Sequence, residues 1–237
     1  MTPTLVLVVI IFGLVLLFLW AKLVQMRRAE FIREFSLPPG LYDKLREKHP
    51  DLSLKDCQLV GHALRQFFLA YLKSGKQYIS MPSQVVDDLW HEFILYTRNY
   101  AQFCRRAFGG FLHHTPAAAL GKAARDNDGL RRCWWQLCRE ENIHPQRPTR
   151  LPLLFALDRK LRIKNGFLYL IDCRNPVESA KLADTGLPVH CATDLRPLRR
   201  DREGGSSCGG SGCAGDSGGG HGCSGSGCSG GCGGGGD

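Results

Sequence analysis

Residues 81–116 of this 237-residue chain read MPSQVVDDLWHEFILYTRNYAQFCRRAFGGFLHHTP. Met81 and Pro82 are typical of a helix start, and Gly109 and Gly110 are typical of a helix end. We therefore predict one helix that opens at Met81 and Pro82 and runs to about Phe108. Its core face recurs at the helical period and consists of Val86, Leu89, Trp90, Phe93, Tyr96, Thr97, Tyr100, Phe103, Cys104 and Ala107.

His91 lies nearly opposite this core face. Ile94 and Leu95 flank it, so this part of the helix is apolar almost all round, and we expect His91 to be buried between helices. Asp87 and Asp88 precede it by four and three residues, which is within side-chain reach on a helix. A carboxylate in that position fixes the tautomer of an imidazole and strengthens it as a metal ligand or a base.

His113 and His114 stand immediately before a second helix start, in which Thr115 is the N-cap and Pro116 the first helical residue. The positive end of that helix favours neutral imidazole, the form that binds metal. A hairpin across the two glycines returns these histidines towards the first helix, closest to Cys104. We predict a metal site, with zinc as the ion, formed by His91, Cys104, His113 and His114, with Asp87 and Asp88 as supporting carboxylates.

Two alternatives to the metal site remain open. The histidines can be structural groups that only satisfy buried hydrogen bonds, or they can act in acid–base catalysis. The spacing matches no closed zinc signature, and the chain has no phosphate loop, nucleophile elbow or dinucleotide fingerprint. Cys133 and Cys138, on a helix with Trp134, are predicted to be core residues rather than ligands.

An uncharged stretch from Leu5 to Ala21 reads LVLVVIIFGLVLLFLWA. As a helix it extends about 25 Å, close to the roughly 30 Å of a bilayer core. The start MTPT and the end Leu19-Trp20-Ala21-Lys22 do not resemble a cleaved signal peptide, so we predict one permanent membrane span. The basic residues that follow predict an outside N-terminus, a cytoplasmic soluble part and mostly reduced cysteines: Lys22, Arg27, Arg28 and Arg33.

The remaining pattern predicts a mainly α protein. Further helices are expected over residues 22–35, Leu41–His49, 54–73 after a capping box at Ser53 and Asp56, 116–125, and around Leu130–Cys138. One β-hairpin is expected, with strands Leu161–Lys164 and Phe167–Ile171 joined by Asn165-Gly166. The predicted division is an anchor with its juxtamembrane helix (1–36), a helical domain (37–148), a hairpin-containing extension (149–203) and a disordered tail (204–237).

The distribution of charged residues argues against one class of partner, nucleic acids. The chain has 31 Lys and Arg against 22 Asp and Glu. The basic residues are scattered apart from Arg196, Arg199, Arg200 and Arg202, so nucleic-acid binding is not expected.

The tail has three interpretations, namely a flexible end, capture of Zn²⁺ or Cu(I), and protein contact or thiol modification. Its thiols are Cys208, Cys213, Cys223, Cys228 and Cys232, with His221 among them.

Three linked elements carry a family resemblance: Asp87-Asp88-Leu89-Trp90-His91, Tyr100-Ala101-Gln102-Phe103-Cys104, and Gly110-Phe111-Leu112-His113-His114-Thr115-Pro116. Over residues 41–120 the chain resembles the glycine-rich-domain-containing-protein-like family, in its small bacterial membrane-anchored form. That resemblance implies an all-helical core and no established reaction.

We therefore expect a single-pass membrane protein with a helical cytoplasmic domain that binds a metal, another ligand or a protein partner rather than catalysing a reaction. The alternative is a metal-dependent enzyme that uses His91 with Asp87 or Asp88 and with His113 and His114.

Overall fold

The computed structural model describes residues 3–114, 127–174 and 189–195, which all belong to one compact unit, Met1–Leu198. The predicted helix at 116–125 and the Gly/Cys tail lie outside the described residues. The described part is mainly helical, as predicted. Its elements are α1 (Pro3–Glu34), α2 (Leu41–Lys48), α3 (Leu54–Lys73), α4 (Gln84–Leu95), α5 (Thr97–Phe108), α6 (Asp128–Glu140), α7 (Leu153–Lys160), β1 (Leu168–Leu170), β2 (Val189–Cys191) and a 3₁₀ turn (Ala192–Leu195).

Helix α1 has two halves with opposite environments. From Leu5 to Trp20 its large apolar side chains are exposed, and within the described residues this is the one helix long and apolar enough to cross a membrane. Further along the same helix, Ala29 and Ile32 are buried in the core of the domain. The prediction that the helix continues past Lys22 is confirmed. Because α1 is unbroken to Glu34, its apolar half is a direct extension of the folded domain.

Helix α3 is central and packs against α1, α2, α4, α6 and α7. The predicted capping box is confirmed at its start, where the Ser53 hydroxyl accepts from the Asp56 N–H and the Asp56 carboxylate accepts from the Ser53 N–H. These bonds satisfy backbone donors that a helix start leaves unpaired. One hydrophobic cluster runs from Ala29 to Leu195, so the end of α1 and the segment after residue 149 share the core of the helical domain.

The prediction of a single helix to Phe108 is wrong, because the helix is interrupted at Tyr96. Tyr96 has non-helical angles (φ −77°, ψ 59°) and separates α4 from α5. In a straight helix Phe93 and Phe103 would lie about 15 Å apart along the axis. The break instead brings their ring centroids to 5.6 Å. Burial of both rings in one small core therefore outweighs the continuity of the helix.

The predicted hairpin is also wrong. Leu161–Lys164 is a turn that follows α7, and β1 pairs in parallel with β2, with Leu168 opposite Val189. The turn is held by a backbone bond from Gly166 to Ile163 and by the buried carboxylate of Asp158, which accepts from the Phe167 N–H at 2.9 Å. This short sheet is closed by a disulfide between Cys173 and Cys191.

The other described cysteines, Cys57, Cys104, Cys133 and Cys138, are free and buried. The predicted core position of the last two is therefore confirmed. Burial raises the pKa of both thiols, that of Cys138 to about 12. Such thiols are poor metal ligands, because it is the thiolate that binds metal.

Candidate metal site

The first helical turn of α4 presents Asp87, and the next turn presents His91. Two sets of hydrogen bonds fix the start of this helix. The Ser83 hydroxyl accepts from the Val86 N–H, and the buried Asp158 carboxylate accepts from the Ser83 hydroxyl at 2.7 Å and from the Gln84 N–H at 2.7 Å. A carboxylate at the positive end of a helix is stabilising. The position of Asp87 and His91 therefore follows from a rigid helix start.

Residues 109–114, here called the return segment, bring His114 back to α4. Helix α5 ends at Gly109, whose φ of 74° suits glycine. The buried Tyr100 hydroxyl then donates to the Leu112 carbonyl at 2.6 Å and accepts from the Trp90 indole N–H at 3.2 Å. Burial raises the pKa of Tyr100, so its hydroxyl keeps the proton that it donates.

The site itself joins Asp87, His91 and His114. One carboxylate oxygen of Asp87 lies 3.0 Å from Nε2 of His114, and the other lies 3.3 Å from Nδ1 of His91. The two imidazole centroids are 4.3 Å apart, and one potential ligand atom from each residue lies within 4.8 Å of the others. Tetrahedral zinc with ligands at 2.0–2.1 Å separates them by roughly 3.3 Å, so small side-chain movements would close this group around an ion.

The hydrogen bonds indicate where the protons are. Nδ1 of His91 lies 2.8 Å from the Asp87 backbone carbonyl, which can only accept, so Nδ1 is the donor in this contact. Nε2 of His114 faces a carboxylate and carries a proton for the same reason. Binding of a metal through that nitrogen would release the proton, as is general for histidine ligands.

His91 is exposed rather than buried, which corrects the prediction from the sequence. Its side chain is 45% exposed, against 22% for Asp87 and 18% for His114. The core face of α4, with Trp90 and Phe93, points inward, whereas His91 lies on the opposite face, beside the His114 ring. Neighbouring apolar residues did not imply burial, because Leu95 is itself 70% exposed.

The other two predicted ligands do not join this group. Cys104 is buried, and burial raises the pKa of its thiol, which interacts with the Leu112 backbone N–H and the Tyr100 hydroxyl. His113 is exposed, and its ring lies 4.8 Å from that of Phe111. Among the residues that the structure describes, the convergent donors are two of the four predicted ligands together with Asp87, which had been assigned a supporting role.

Asp88 has a different partner, His49, which the sequence analysis missed. Nε2 of His49 lies 2.9 Å from the Asp88 carboxylate, and beside this pair Lys48 forms an ion pair with Glu92 at 2.8 Å. These contacts attach the end of α2 to α4. No periodicity links His49 to Asp88, since 39 residues separate them and only the tertiary packing of α2 brings them together.

Two imidazoles and one carboxylate are a donor set that suits zinc and other divalent transition metals. Three protein ligands leave coordination positions open, and the exposure of His91 places those positions near solvent. An ion held there would be accessible to water or to a small ligand.

The fold and site define a mainly helical protein with a long apolar N-terminal helix and an exposed Asp/His group on its domain. The chain belongs to the UCP032817-like family, whose model matches residues 27–195. The match starts after the apolar stretch of α1 and includes every residue of the site. No curated protein and no solved structure matches the chain.

Proposed function

We propose that this protein is a single-pass membrane protein whose helical domain binds a divalent transition metal, of the zinc class, through Asp87, His91 and His114. The observation that carries the proposal is the convergence of the three donors within 4.8 Å. The donors come from two segments, α4 and the return segment, which are joined by the buried Trp90–Tyr100–Leu112 hydrogen bonds. A site assembled in this way is positioned before any ion arrives.

The elements behind the family resemblance also support this proposal. Asp87 and His91 supply donors, and Trp90 between them contacts both Tyr100 and His114, the latter ring to ring at 4.6 Å. Tyr100 in turn orients the return segment. Membership of the glycine-rich-domain-containing-protein-like family stays a prediction, and the arrangement explains why those three elements would occur together.

The test is zinc binding by the full chain in detergent, with the five tail cysteines replaced by serine in every variant. We expect one equivalent of zinc in the parent, with affinity at least about tenfold weaker in His91→Ala and in His114→Ala. His113→Ala is the matched control, because that imidazole lies one residue from the site but outside it. Background zinc in the parent, or equal affinity in all variants, would instead support purely structural histidines.

A metal-dependent enzyme is the second candidate, favoured by the open coordination positions beside the exposed His91. Of the predicted catalytic residues, Asp88 is engaged by His49 and His113 lies outside the group, which leaves Asp87, His91 and His114. Zinc-loaded parent and His91→Ala would be compared on chromogenic carboxylic and phosphoric esters. Turnover that requires both zinc and His91 supports this candidate, and its absence favours a binding role.

The proposed orientation has the N-terminus outside and the domain in the cytoplasm, because Lys22, Arg27 and Arg28 follow the apolar stretch. The Cys173–Cys191 disulfide argues the other way, since disulfides persist mainly in oxidising compartments. An impermeant thiol reagent applied to intact cells distinguishes the two. We expect the tail cysteines to stay unlabelled until the cells are opened, and ready labelling would reverse the orientation.

A further inference from the structure

We propose that the end of the domain nearest the membrane binds anionic lipid headgroups through a basic cluster, formed by Lys22, Arg27, Arg28, Arg105 and Arg106. The inference rests on the membrane anchoring proposed above. It goes beyond that anchoring because two members of the cluster come from α5, more than 70 residues further along the chain. Basic residues so distant from the span are not part of its topology signal, which depends on charges within about 15–20 residues of its ends.

Contacts along α1 show that α5 runs back towards the membrane. The ring of Phe103 lies 4.6 Å from that of Phe35, near the end of α1. One turn further along α5, the Arg106 guanidinium lies over the Phe31 ring at 4.4 Å. At the end of α5, Arg28 donates to the Phe108 carbonyl at 3.2 Å. The C-terminal end of α5 is therefore its membrane-side end.

The unbroken helix also sets the distance to the lipid. If the hydrocarbon core ends near Lys22, then Arg28 lies about 9 Å and Phe31 about 13 Å further along the axis. The headgroup layer occupies roughly 5–7 Å of that distance. The remaining gap of a few ångströms is shorter than the Debye length of about 8 Å at physiological salt. The charges of Arg105 and Arg106 therefore act on the headgroups without strong screening.

The positive charges on this end are only partly offset by neighbouring acids. Among the described residues of this end of the domain, Glu30 and Glu34 are exposed carboxylates, whereas Glu140 is already paired with Lys73 and Arg33. Five positive charges against two negative charges leave a net charge of three. Arg105 and Arg106 are both exposed, and a cation stacked on a phenylalanine ring keeps its full charge. Each basic residue close to an anionic surface changes binding by about fivefold.

The experiment uses the full chain in nanodiscs, with a photo-crosslinking amino acid at Gly110. That position follows the end of α5, and a Cβ there would meet no atom within 4 Å. In discs of phosphatidylcholine with one quarter phosphatidylglycerol we expect crosslinking to lipid several-fold above that in phosphatidylcholine alone. Arg105→Gln/Arg106→Gln should reduce the yield to the phosphatidylcholine level.

The matched control is Lys55→Gln/Lys160→Gln, which removes two exposed charges near the start of α3, the end away from the membrane. It should leave the crosslinking unchanged. Equal yields in the two lipids, or no effect of the arginine pair, would overturn the inference while the anchoring stands. Release of the full chain from membranes by alkaline carbonate would overturn the anchoring and this inference together.

Discussion

Asp158 and Asp87 both act at helix α4, but Asp158 stabilises the start of the helix, whereas Asp87 belongs to the candidate metal site. Asp158 is 2% exposed and accepts from four donors, the Ser83 hydroxyl and the N–H groups of Gln84, Val85 and Phe167. Asp87, one turn into α4, is 22% exposed and faces two imidazoles. The donors around Asp158 never lose their protons, so its role is confined to structure. Those around Asp87 are imidazoles, which can exchange protons and which we propose bind metal, so an ion could replace its partners.

The largest expected effect is on stability, from Asp158→Ala. It leaves three backbone N–H groups and a hydroxyl without an acceptor inside the protein, which should lower the free energy of unfolding by about 3–5 kcal/mol. Thermal melting of the full chain in detergent, followed by circular dichroism, measures this. A loss below about 1 kcal/mol would mean that water replaces the carboxylate and that α4 does not depend on it.

Asp87→Asn should weaken zinc binding strongly and change stability little, in contrast to Asp158→Ala. The amide keeps the size of the side chain but removes its charge, so zinc affinity should fall at least about 100-fold. The free energy of unfolding should change by less than about 1 kcal/mol, because the contacts are partly exposed. Zinc titration and thermal melting of the same sample give both values. A large loss of stability would place Asp87 in the same structural class as Asp158.

Tyr100→Phe tests whether the buried hydroxyl positions His114. The change removes the acceptor of the Trp90 N–H and the donor to Leu112, at a cost of about 1–3 kcal/mol. Zinc affinity should also fall, about tenfold, and the absorption spectrum of the cobalt-substituted site should change because His114 is displaced. Tyr71→Phe, which removes one hydroxyl from α3, is the control. An unchanged cobalt spectrum in Tyr100→Phe would assign its hydroxyl to the core alone.

The smallest effect concerns a third carboxylate, Glu140, which has permanently charged partners. Burial alone would raise its pKa, but hydrogen bonds and charge from Lys73 and Arg33 outweigh burial and lower the pKa. Its stabilising contribution is therefore complete above its unfolded pKa of about 4.3 and is lost as the pH falls through the lower folded value. Glu140→Gln should cost about 1 kcal/mol at pH 7 and progressively less below pH 4. A cost that does not depend on pH would exclude the ion pairs as its origin.

The sequence predicted those features of the fold that depend only on residues close together in the chain. The capping box at Ser53, the end of α5 at Gly109 and the apolar half of α1 each depend on neighbouring residues alone. The break at Tyr96 depends on the size of the core that Phe93 and Phe103 share. The pairing of β1 with β2 depends on residues 21 positions further along the chain, with Leu168 opposite Val189. Neither of these is visible in a periodicity.

The site shows the same limit. The reversal after Gly109 predicted that His113 and His114 turn back along the chain, but it placed them closest to Cys104, whereas His114 lies beside Asp87 and His91 in α4. Asp87 and Asp88 were both predicted to be supporting carboxylates, and the choice between them could not be made, because adjacent residues on a helix point about 100° apart and only the packing of α2 shows which one meets His49. Cys104 seemed suitable by chemistry, but its place on the core face of α5 buries it away from the two imidazoles.

Helix α1 is continuous from Pro3 to Glu34, so the proposed membrane anchor and the first helix of the domain are one unbroken helix. No loop separates the exposed apolar side chains of α1 from Ala29 and Ile32 in the core, so rotation of one half about the helix axis rotates the other. One residue inserted between Lys22 and Arg28 would turn the whole domain by about 100° and raise it by 1.5 Å. Two residues would nearly reverse the side that His91 presents relative to any neighbour in the bilayer. If the apolar half of α1 spans the bilayer, it therefore fixes the direction in which the site faces as well as its distance from the membrane.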